Sequence, residues 1–183
     1  MQLRCRRSIY SMTAPAITKI ADIRGLVAKG RAKPHAVFGA LRKLSASDHW
    51  RAREVAATAL VEIAKRHPSA VLREARRWAK DPDANVRRAA SEGLRGLVKL
   101  DPRSVQPVIE MLRADSDLYV RKSVANVLRN ASGKHPDFVL AVCGRWERSG
   151  GPHTQWIVKH GLRKLRASPY KQRVDVERNN AAS

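Results

Sequence analysis

The sequence repeats with a period of 34 residues. The clearest marker is a His-Pro or Asp-Pro dipeptide that recurs at this interval, at His67-Pro68, Asp101-Pro102 and His135-Pro136. A fixed period of this length is typical of arrays in which each unit buries its apolar face only against its neighbours. The chain is therefore expected to fold as a stack of similar units.

Apolar residues recur at positions i, i+4 and i+8 of every period, which is the spacing of one buried helical face. The aligned positions are Ala52, Val86, Val120 and Thr154, then Ala56, Ala90, Val124 and Val158, then Leu60, Leu94, Leu128 and Leu162. The preceding helix aligns Val71, Val105 and Val139, then Ala75, Ile109 and Cys143, then Trp78, Leu112 and Trp146. Each unit is thus predicted to be a helical hairpin with these residues in its core.

Prolines suited to a first helical turn and aspartates suited to capping predict where the helices begin. The expected capping residues are Asp48, Asp81, Asp115 and Asp117. The predicted helices span residues 15–29, 34–45, 48–66, 68–80, 84–99, 102–113, 118–131, 136–147 and 153–166. No strand is required.

The predicted fold class is all-α, a right-handed αα-superhelix of HEAT-like repeats. The pattern Asp-x4-Val-Arg, which begins at Asp81 and again at Asp115, resembles HEAT repeats. TPR arrays share the 34-residue period, but their Trp-Leu-Gly-Tyr and Ala-Phe-Pro landmarks are absent. The repeat domain is predicted at residues 14–166, between a basic tail at 1–13 and a polar tail at 167–183.

The basic tail at 1–13 is rich in Arg and contains no acidic residue. Three interpretations of it stay open. It is a flexible arm that follows phosphates, a remnant of a targeting segment, or sequence upstream of a true start at Met12.

The charge of the chain indicates its partner. There are 37 Lys and Arg against 16 Asp and Glu, a formal net charge of +21, which is expected of a protein that binds nucleic acid. Cys5 and Cys143 are too few for a disulfide framework or a Cys-based zinc site. The sequence has no membrane-length apolar run, P-loop, GxGxxG motif or nucleophile elbow. We expect a soluble, cytoplasmic, nucleoid-associated monomer without metal or cofactor.

The second helix of each unit carries a polar stripe that is predicted to line the concave surface, and we name it the groove stripe. Its members are Glu54, Thr58, Lys65, Arg88, Glu92, Arg95, Lys99, Lys122, Asn126, Arg129, Trp156, Lys159, His160 and Arg163. Cations in register on helices about 10 Å apart can follow a phosphate backbone. The candidates for DNA binding are Arg88, Arg95, Lys99, Lys122, Asn126, Arg129, Trp156, Lys159 and Arg163. A solvated charged face is the alternative interpretation.

One residue before the groove stripe lie Arg53, Arg87 and Arg121. HEAT-like repeats often hold an Arg at this position that pairs with an Asp of the adjacent unit. These three arginines are therefore predicted to be structural.

Trp50 and Glu54 are four residues apart, so the indole and the carboxylate lie on one helical face outside the buried positions. An acidic residue beside a phosphate-binding surface lowers affinity. Two interpretations follow: Glu54 is a structural partner for an arginine such as Arg88, or it serves a reaction that develops positive charge.

Four segments resemble the AlkC/AlkD family of DNA alkylation repair proteins. They are DHWRAREVAATAL at 48–60, DANVRRAASEGLRGL at 83–97, DLYVRKSVANVLRNASGKHPDFVL at 117–140 and TQWIVKHGLRKL at 154–165. The resemblance implies a superhelix of HEAT-like repeats that holds double-stranded DNA in a basic, shallow concave groove. It also implies hydrolysis of the N-glycosidic bond of N-alkylated bases such as 3-methyladenine, with no metal or organic cofactor.

By that resemblance, Trp50 matches an aromatic residue that packs on the lesion-bearing nucleotide, and Glu54 matches a carboxylate beside the deoxyribose. Arg88 and Arg129 match basic residues that hold the DNA backbone. Asn126 occupies the position where the AlkD branch has a second Trp. The segment SVAN at 123–126 is more similar to the AlkC branch.

Two functions remain open. The first is a DNA N-glycosylase for alkylated bases, in which Glu54 stabilises charge or orients water while Trp50 and Trp156 offer π-faces to the cationic base. The second is a non-catalytic HEAT-like module that binds DNA or an acidic protein through the same groove.

Overall fold

The structure is a computed structural model that describes residues 20–166 and Gln172. The predicted tail at 1–13 and the rest of the predicted tail at 167–183 lie outside the described residues. The described part contains ten α-helices and a short 3-10 turn, without a strand. The helices are α1 (Ile20–Ala32), α2 (His35–Ser45), α3 (Trp50–Ala64), α4 (Pro68–Trp78), α5 (Ala84–Glu92), α6 (Pro102–Leu112), α7 (Leu118–Ala131), α8 (Pro136–Ser149), α9 (Pro152–Gly161) and α10 (Arg163–Arg166).

The helices α1 to α9 form two rows. The odd-numbered helices pack side by side in chain order, and each even-numbered helix packs behind its odd-numbered neighbours. Contacts between successive odd-numbered helices are more extensive than those between successive even-numbered helices. The inner side of a curved stack is its more closely packed row, and we therefore infer that the odd-numbered helices line the concave face. For the described residues, the prediction of an all-α fold is confirmed.

The core lies between the two rows. The leucines that recur every 34 residues are at most 3% exposed, and they are Leu60, Leu94, Leu128 and Leu162. Trp78 and Trp146 are buried as predicted, and the indole N–H of Trp146 donates to the Glu110 carboxylate at 2.8 Å. Burial raises the pKa of the Cys143 thiol to about 12, so this residue is a core side chain and not a nucleophile.

Asp83 and Asp117 cap α5 and α7, since each carboxylate accepts a hydrogen bond from a backbone amide of the first helical turn. The prediction of a cap at Asp117 is confirmed. The predicted caps at Asp81 and Asp115 are wrong, because these carboxylates lie two residues ahead of the cap and form ion pairs with arginines of neighbouring helices. At α3 the N-terminal capping position is occupied by His49, not by an aspartate.

One continuous helix is predicted at 84–99, but α5 ends at Glu92, so the prediction is wrong for residues 93–99. The chain continues in tighter turns that end in the 3-10 turn at Leu97–Lys99. The residue after the helix is Gly93, and it lies so close to α3 that a Cβ added there would stand 3.0 Å from the Leu60 Cβ. Glycine disfavours helix by about 1 kcal/mol relative to alanine, so the helix ends where this close approach requires glycine.

Arg87 joins two neighbouring repeats. Its guanidinium donates to the Asp115 carboxylate at 2.6 and 3.1 Å and to the carbonyls of Asp81 and Pro82 at 2.9 Å. Burial raises the pKa of Asp115, but the hydrogen bonds from the Arg87 side chain and the Asp117 backbone amide, together with the positive charges of Arg87 and Arg121, outweigh it and hold this pKa below its ordinary value. The predicted structural role of Arg87 is confirmed.

The two equivalent arginines do not form this pair. The guanidinium of Arg53 donates to backbone carbonyls of the turn ahead of its own helix. The aspartate one period before Asp115 is Asp81, which instead pairs with Arg42 at 2.7 Å. One period after Asp115 the chain has the uncharged Ser149, so Arg121 lacks the corresponding partner.

The ion pair between Arg87 and Asp115 predicts that Asp115→Asn changes stability in a pH-dependent way. The change should lower the free energy of unfolding by about 2 kcal/mol at pH 7, because it removes charged hydrogen bonds to Arg87. Since the folded-state pKa of Asp115 is depressed, its contribution is complete above the unfolded pKa and is lost as pH falls through the folded pKa. The difference from wild type should therefore shrink below about pH 4.

Urea unfolding at several pH values measures this difference. The exposed Asp48 provides a matched control, and Asp48→Asn should change stability by less than about 0.5 kcal/mol. An equal loss for both variants at pH 7 would contradict the assigned role of Asp115.

Two glycine-to-alanine changes should have opposite effects. Gly161 ends α9, where one helix was predicted at 153–166, and a Cβ there would stand 2.7 Å from Cδ1 of the buried Leu128. Gly161→Ala should destabilise the protein by about 1–3 kcal/mol through overpacking. Gly39 lies in α2 with no atom near its Cβ position, so Gly39→Ala should stabilise by up to about 1 kcal/mol. Thermal unfolding of both variants tests the close packing of α9 on α7.

Candidate nucleic-acid interface

The groove stripe repeats at three positions on each of the helices α3, α5, α7 and α9, or just beyond their ends. One row of equivalent positions holds Glu54, Arg88, Lys122 and Trp156, and the next holds Thr58, Glu92, Asn126 and His160. The third holds Arg95, Arg129 and Arg163, and the equivalent place in α3 is occupied by the apolar Val61, which is not part of the groove stripe. None of these side chains belongs to the buried core. Because their helices line the concave face, the stripe forms a polar surface across the stack.

An open cavity of about 730 Å³ lies on this surface between α7 and α9, and we name it the α7–α9 cavity. Its lining consists of Lys122, Arg129, Trp156, His160, Arg163 and Lys164. The pairs Lys122 and Trp156, and Arg129 and Arg163, are each 34 residues apart. The repeat therefore brings four residues predicted to bind DNA into one cavity.

Arg129 is held in place at the wall of this cavity. Its guanidinium donates to the carbonyl oxygen of His160 at 3.2 Å and to the Asn126 side chain at 3.4 Å. Burial lowers the pKa of Arg129, and the neighbouring positive charge of Arg163 lowers it further. Arginine stays protonated in proteins, so a fixed positive charge faces the cavity.

The aromatic part of the cavity is a stacked pair. The rings of Trp156 and His160 lie with their centroids 3.7 Å apart, and the Nδ1 of His160 is 2.8 Å from the carbonyl oxygen of Trp156. The guanidinium of Arg121 lies over the Trp156 ring, 5.6 Å from its centroid, and contacts His153. Arg121, which has no aspartate one period after Asp115 to pair with, thus lies against this aromatic pair.

Trp50 and Glu54 lie at the other end of the surface, in the first two turns of α3. The Trp50 indole is 64% exposed and the Glu54 side chain is 52% exposed. The guanidinium of Arg51 lies 5.4 Å from the centroid of the Trp50 ring. Both side chains therefore project from the stack and are not packed between its rows.

Arg95 connects Glu54 to the rest of the groove stripe. Its guanidinium lies 4.0 Å from the Glu54 carboxylate and 3.1 Å from the Glu92 carboxylate. One interpretation of Glu54 predicts an ion pair with an arginine such as Arg88. The structure instead places Arg95 within ion-pair distance of the Glu54 carboxylate. The charge of Arg95 is thus largely balanced by two acids.

The remaining predicted residues are spread along the surface. Arg88 lines a narrow cleft between α3 and α5 together with Arg53 and Glu92. Lys99 is exposed in the 3-10 turn, and its carbonyl oxygen contacts a ring nitrogen of His135. Lys159 lies in a second open cavity at the far end of the stack, apart from the other DNA-binding candidates except Trp156.

Comparison with protein-family models matches the family of HEAT repeats over residues 23–129. A comparison with curated proteins found no match. Among solved structures, Pseudomonas fluorescens alkylpurine DNA glycosylase AlkC, bound to DNA that contains an abasic-site analogue, is 29% identical with a TM-score of 0.70. AlkD2 from Streptococcus mutans is 30% identical with a TM-score of 0.65, over 78% of this chain and 70% of that chain. A second Streptococcus mutans structure, smu.31, is also 30% identical with a TM-score of 0.65, over 78% of this chain and 73% of that chain.

This chain is a HEAT-repeat protein of the AlkC/AlkD superfamily. The resemblance found in the sequence and the predicted superhelix of HEAT-like repeats are both confirmed. The match to AlkC covers 84% of this chain but only 44% of the AlkC chain. The HEAT-repeat protein thus corresponds to less than half of that relative.

Sequence reasoning missed two residues of the HEAT-repeat surface. Lys164 follows the last predicted stripe position and completes the α7–α9 cavity. Tyr119 is 60% exposed in the first turn of α7, and the Nζ of Lys122 lies 5.0 Å from the centroid of its ring. A signal for Tyr119 was available, since the equivalent positions one period before and after hold the polar Asn85 and His153.

Among residues 20–166 of the HEAT-repeat protein, no three His, Cys, Asp or Glu side chains are grouped so that they could hold a metal ion. Within the same residues, no helix is both long enough and apolar enough to cross a membrane.

Proposed function

We propose that this HEAT-repeat protein acts in DNA alkylation repair, as a DNA N-glycosylase that releases N-alkylated bases from duplex DNA. The observation that carries the proposal is the half-exposed carboxylate of Glu54 beside the exposed indole of Trp50, on the same concave row as the cations. The proposed partner is double-stranded DNA, bound by one copy of the chain in the cytoplasm without metal or organic cofactor.

The cations of the groove stripe support binding of duplex DNA. Arg88, Lys122, Arg129 and Arg163 lie on or just after three successive odd-numbered helices. Helices that pack 8–10 Å apart place these charges at intervals suited to a phosphate backbone. The similar AlkC structure is bound to DNA, which supports the same partner here.

The proposed reaction needs few protein groups. An N-alkylated purine carries a positive charge, so the bond from C1′ to the base nitrogen breaks readily, and its electron pair leaves with the base and neutralises it. The sugar becomes an oxocarbenium-like cation, to which water adds at C1′. A carboxylate at this point stabilises the cation and accepts the proton of the water. Glu54 supplies that carboxylate, and the Trp50 ring offers its π-face to the charged base.

Release of methylated purine from alkylated duplex DNA tests the proposal. Glu54→Gln should slow base release by about 100-fold, because a neutral amide does not stabilise the developing sugar cation. Affinity for the duplex should stay the same or increase, since a negative charge is removed from the groove. Chromatography of the released bases and fluorescence anisotropy of a labelled duplex measure the two quantities.

Glu62 supplies the matched control, because it lies on the same helix and its carboxylate pairs with Arg31 at 2.7 Å and with Lys65. Glu62→Gln should leave base release close to the wild-type rate. A Glu54→Gln variant that releases bases as fast as wild type would contradict the catalytic assignment.

A non-catalytic DNA-binding module is the second candidate. The pairing of Glu54 with Arg95 at 4.0 Å favours it, since a carboxylate within reach of an arginine also fits a purely structural role. A wild-type protein that binds duplex DNA but releases no methylated base would establish this second function and exclude the first.

The dependence of duplex binding on salt separates DNA from an acidic protein partner. The affinity should fall steeply with salt, and Arg88→Gln and Arg129→Gln should each reduce the slope of log K against log salt by about 1. Arg76 is exposed on α4 in the outer row, so Arg76→Gln should leave the slope unchanged. A shallow slope in wild type, or equal effects of all three variants, would contradict binding in the groove.

A further inference from the structure

Glu92 is an acid within the groove stripe, and two physical effects oppose a carboxylate at this place. It is the last residue of α5, where the negative end of the helix dipole repels an anion. It also lies on the surface that is proposed to bind phosphates. The equivalent residues of the neighbouring repeats, Thr58 and Asn126, are uncharged. Since the Glu92 side chain is only 13% exposed, contacts with the protein must offset these costs.

Glu92 balances the charges of several arginines. Arg53 and Arg88 line the same narrow cleft as Glu92, and the Nε of Arg95 lies 3.1 Å from the Glu92 carboxylate. The charge of Glu92 also acts on α7, because burial lowers the pKa of Arg129 and Glu92 opposes that effect. The carboxylate therefore attracts positive charge from the helices on both sides of α5.

Arg95 lies between Glu92 and Glu54. Its Nε donates to the backbone carbonyl oxygen of Glu92 at 3.2 Å, beside the carboxylate of the same residue. Its Nη2 is 4.0 Å from the Glu54 carboxylate, which is too far for a hydrogen bond. Arg95 is thus bound to Glu92 and only near Glu54.

The strength of these two contacts decides how much negative charge Glu54 retains. A close pair with Arg95 would cancel the charge that a developing sugar cation needs. We propose that Glu92 is a positioning residue, which holds the Arg95 guanidinium away from Glu54 and so leaves most of the Glu54 charge available to the substrate. This inference rests on the proposed function for the reaction itself.

The variant Glu92→Gln tests the inference, because Glu54 is then the charged carboxylate within ion-pair distance of Arg95. With saturating protein and a single turnover, release of methylated purine should slow by about tenfold, since Arg95 then neutralises Glu54. Affinity for duplex DNA should stay the same or rise, because an acid is removed from the groove. A variant that had merely lost its fold would lose both base release and affinity.

A second change separates positioning from a purely structural ion pair. In E92Q/R95Q the cation that neutralises Glu54 is absent, so base release should be about fivefold faster than in Glu92→Gln or more. Glu74 is the matched control, since its side chain is 12% exposed and pairs with Arg77 at 3.2 Å over the same i, i+3 spacing, but in the outer row. E74Q and E74Q/R77Q should release bases at the wild-type rate.

A binding measurement tests the same point without the reaction. One duplex carries a pyrrolidine abasic-site analogue, which is cationic like the sugar in the transition state, and a second duplex carries a neutral tetrahydrofuran analogue. Wild type should bind the cationic analogue about tenfold more tightly than the neutral one. Glu92→Gln should lose most of this preference, and E92Q/R95Q should regain it.

The two measurements separate this inference from the proposed function. A wild type that binds both analogues equally, or a double variant that regains neither base release nor preference, would overturn the positioning role. Loss of base release in Glu54→Gln with unchanged release in Glu92→Gln would overturn the inference alone. A wild type that prefers the cationic analogue through Glu92 but releases no base would refute the proposed function and leave the role of Glu92 standing.

Discussion

The structure depends on close contact between neighbouring odd-numbered helices, because no hairpin of this chain can bury its apolar face alone. Gly93 and Gly161 occupy the same position two repeats apart, and each lies against a leucine of the preceding odd-numbered helix, Leu60 or Leu128. Packing this close fixes the rotation of each helix relative to its neighbour. Once the rotation is fixed, residues 34 apart keep the same face, so a stripe of polar residues becomes a continuous surface.

The position that Asp115 occupies has a different partner in each repeat. Asp115 joins two repeats through Arg87, and one period earlier Asp81 pairs with Arg42 instead. One period later Ser149 carries no charge, so Arg121 has no aspartate to hold it and lies over Trp156. The loss of a single structural carboxylate therefore adds a positive charge to the aromatic and basic end of the concave surface. The ion pair that stabilises the inner repeats is therefore replaced, beside α9, by a contact of an arginine with the Trp156 ring.

Spacing predicted most of the fold, because helices, buried positions and the concave row depend only on the period and on side-chain polarity. Spacing could not predict pairings that cross between helices. Glu54 lies within reach of Arg95 rather than Arg88, since the partner depends on how far α3 and α5 are rotated and on the tighter turns after Glu92. The stacking of Trp156 on His160 is local to one helix, and the convergence of Lys164 on the same cavity depends on the break after Gly161.

In the proposed function, the separation of Glu54 from the cations of the α7–α9 cavity lets one groove hold DNA and still present a carboxylate to it. An unpaired acid among phosphates lowers affinity, and each phosphate contact supplies affinity that decreases with salt. Arg95 offsets part of the repulsion from Glu54, while the cavity lined by Arg129, Arg163 and their lysine neighbours contains no acidic side chain. In the proposed function, the attraction at α7 and α9 holds the duplex and the region near α3 remains weakly bound. A weakly bound sugar can adopt the distorted geometry of an oxocarbenium ion, for which a negative charge close to C1′ is favourable.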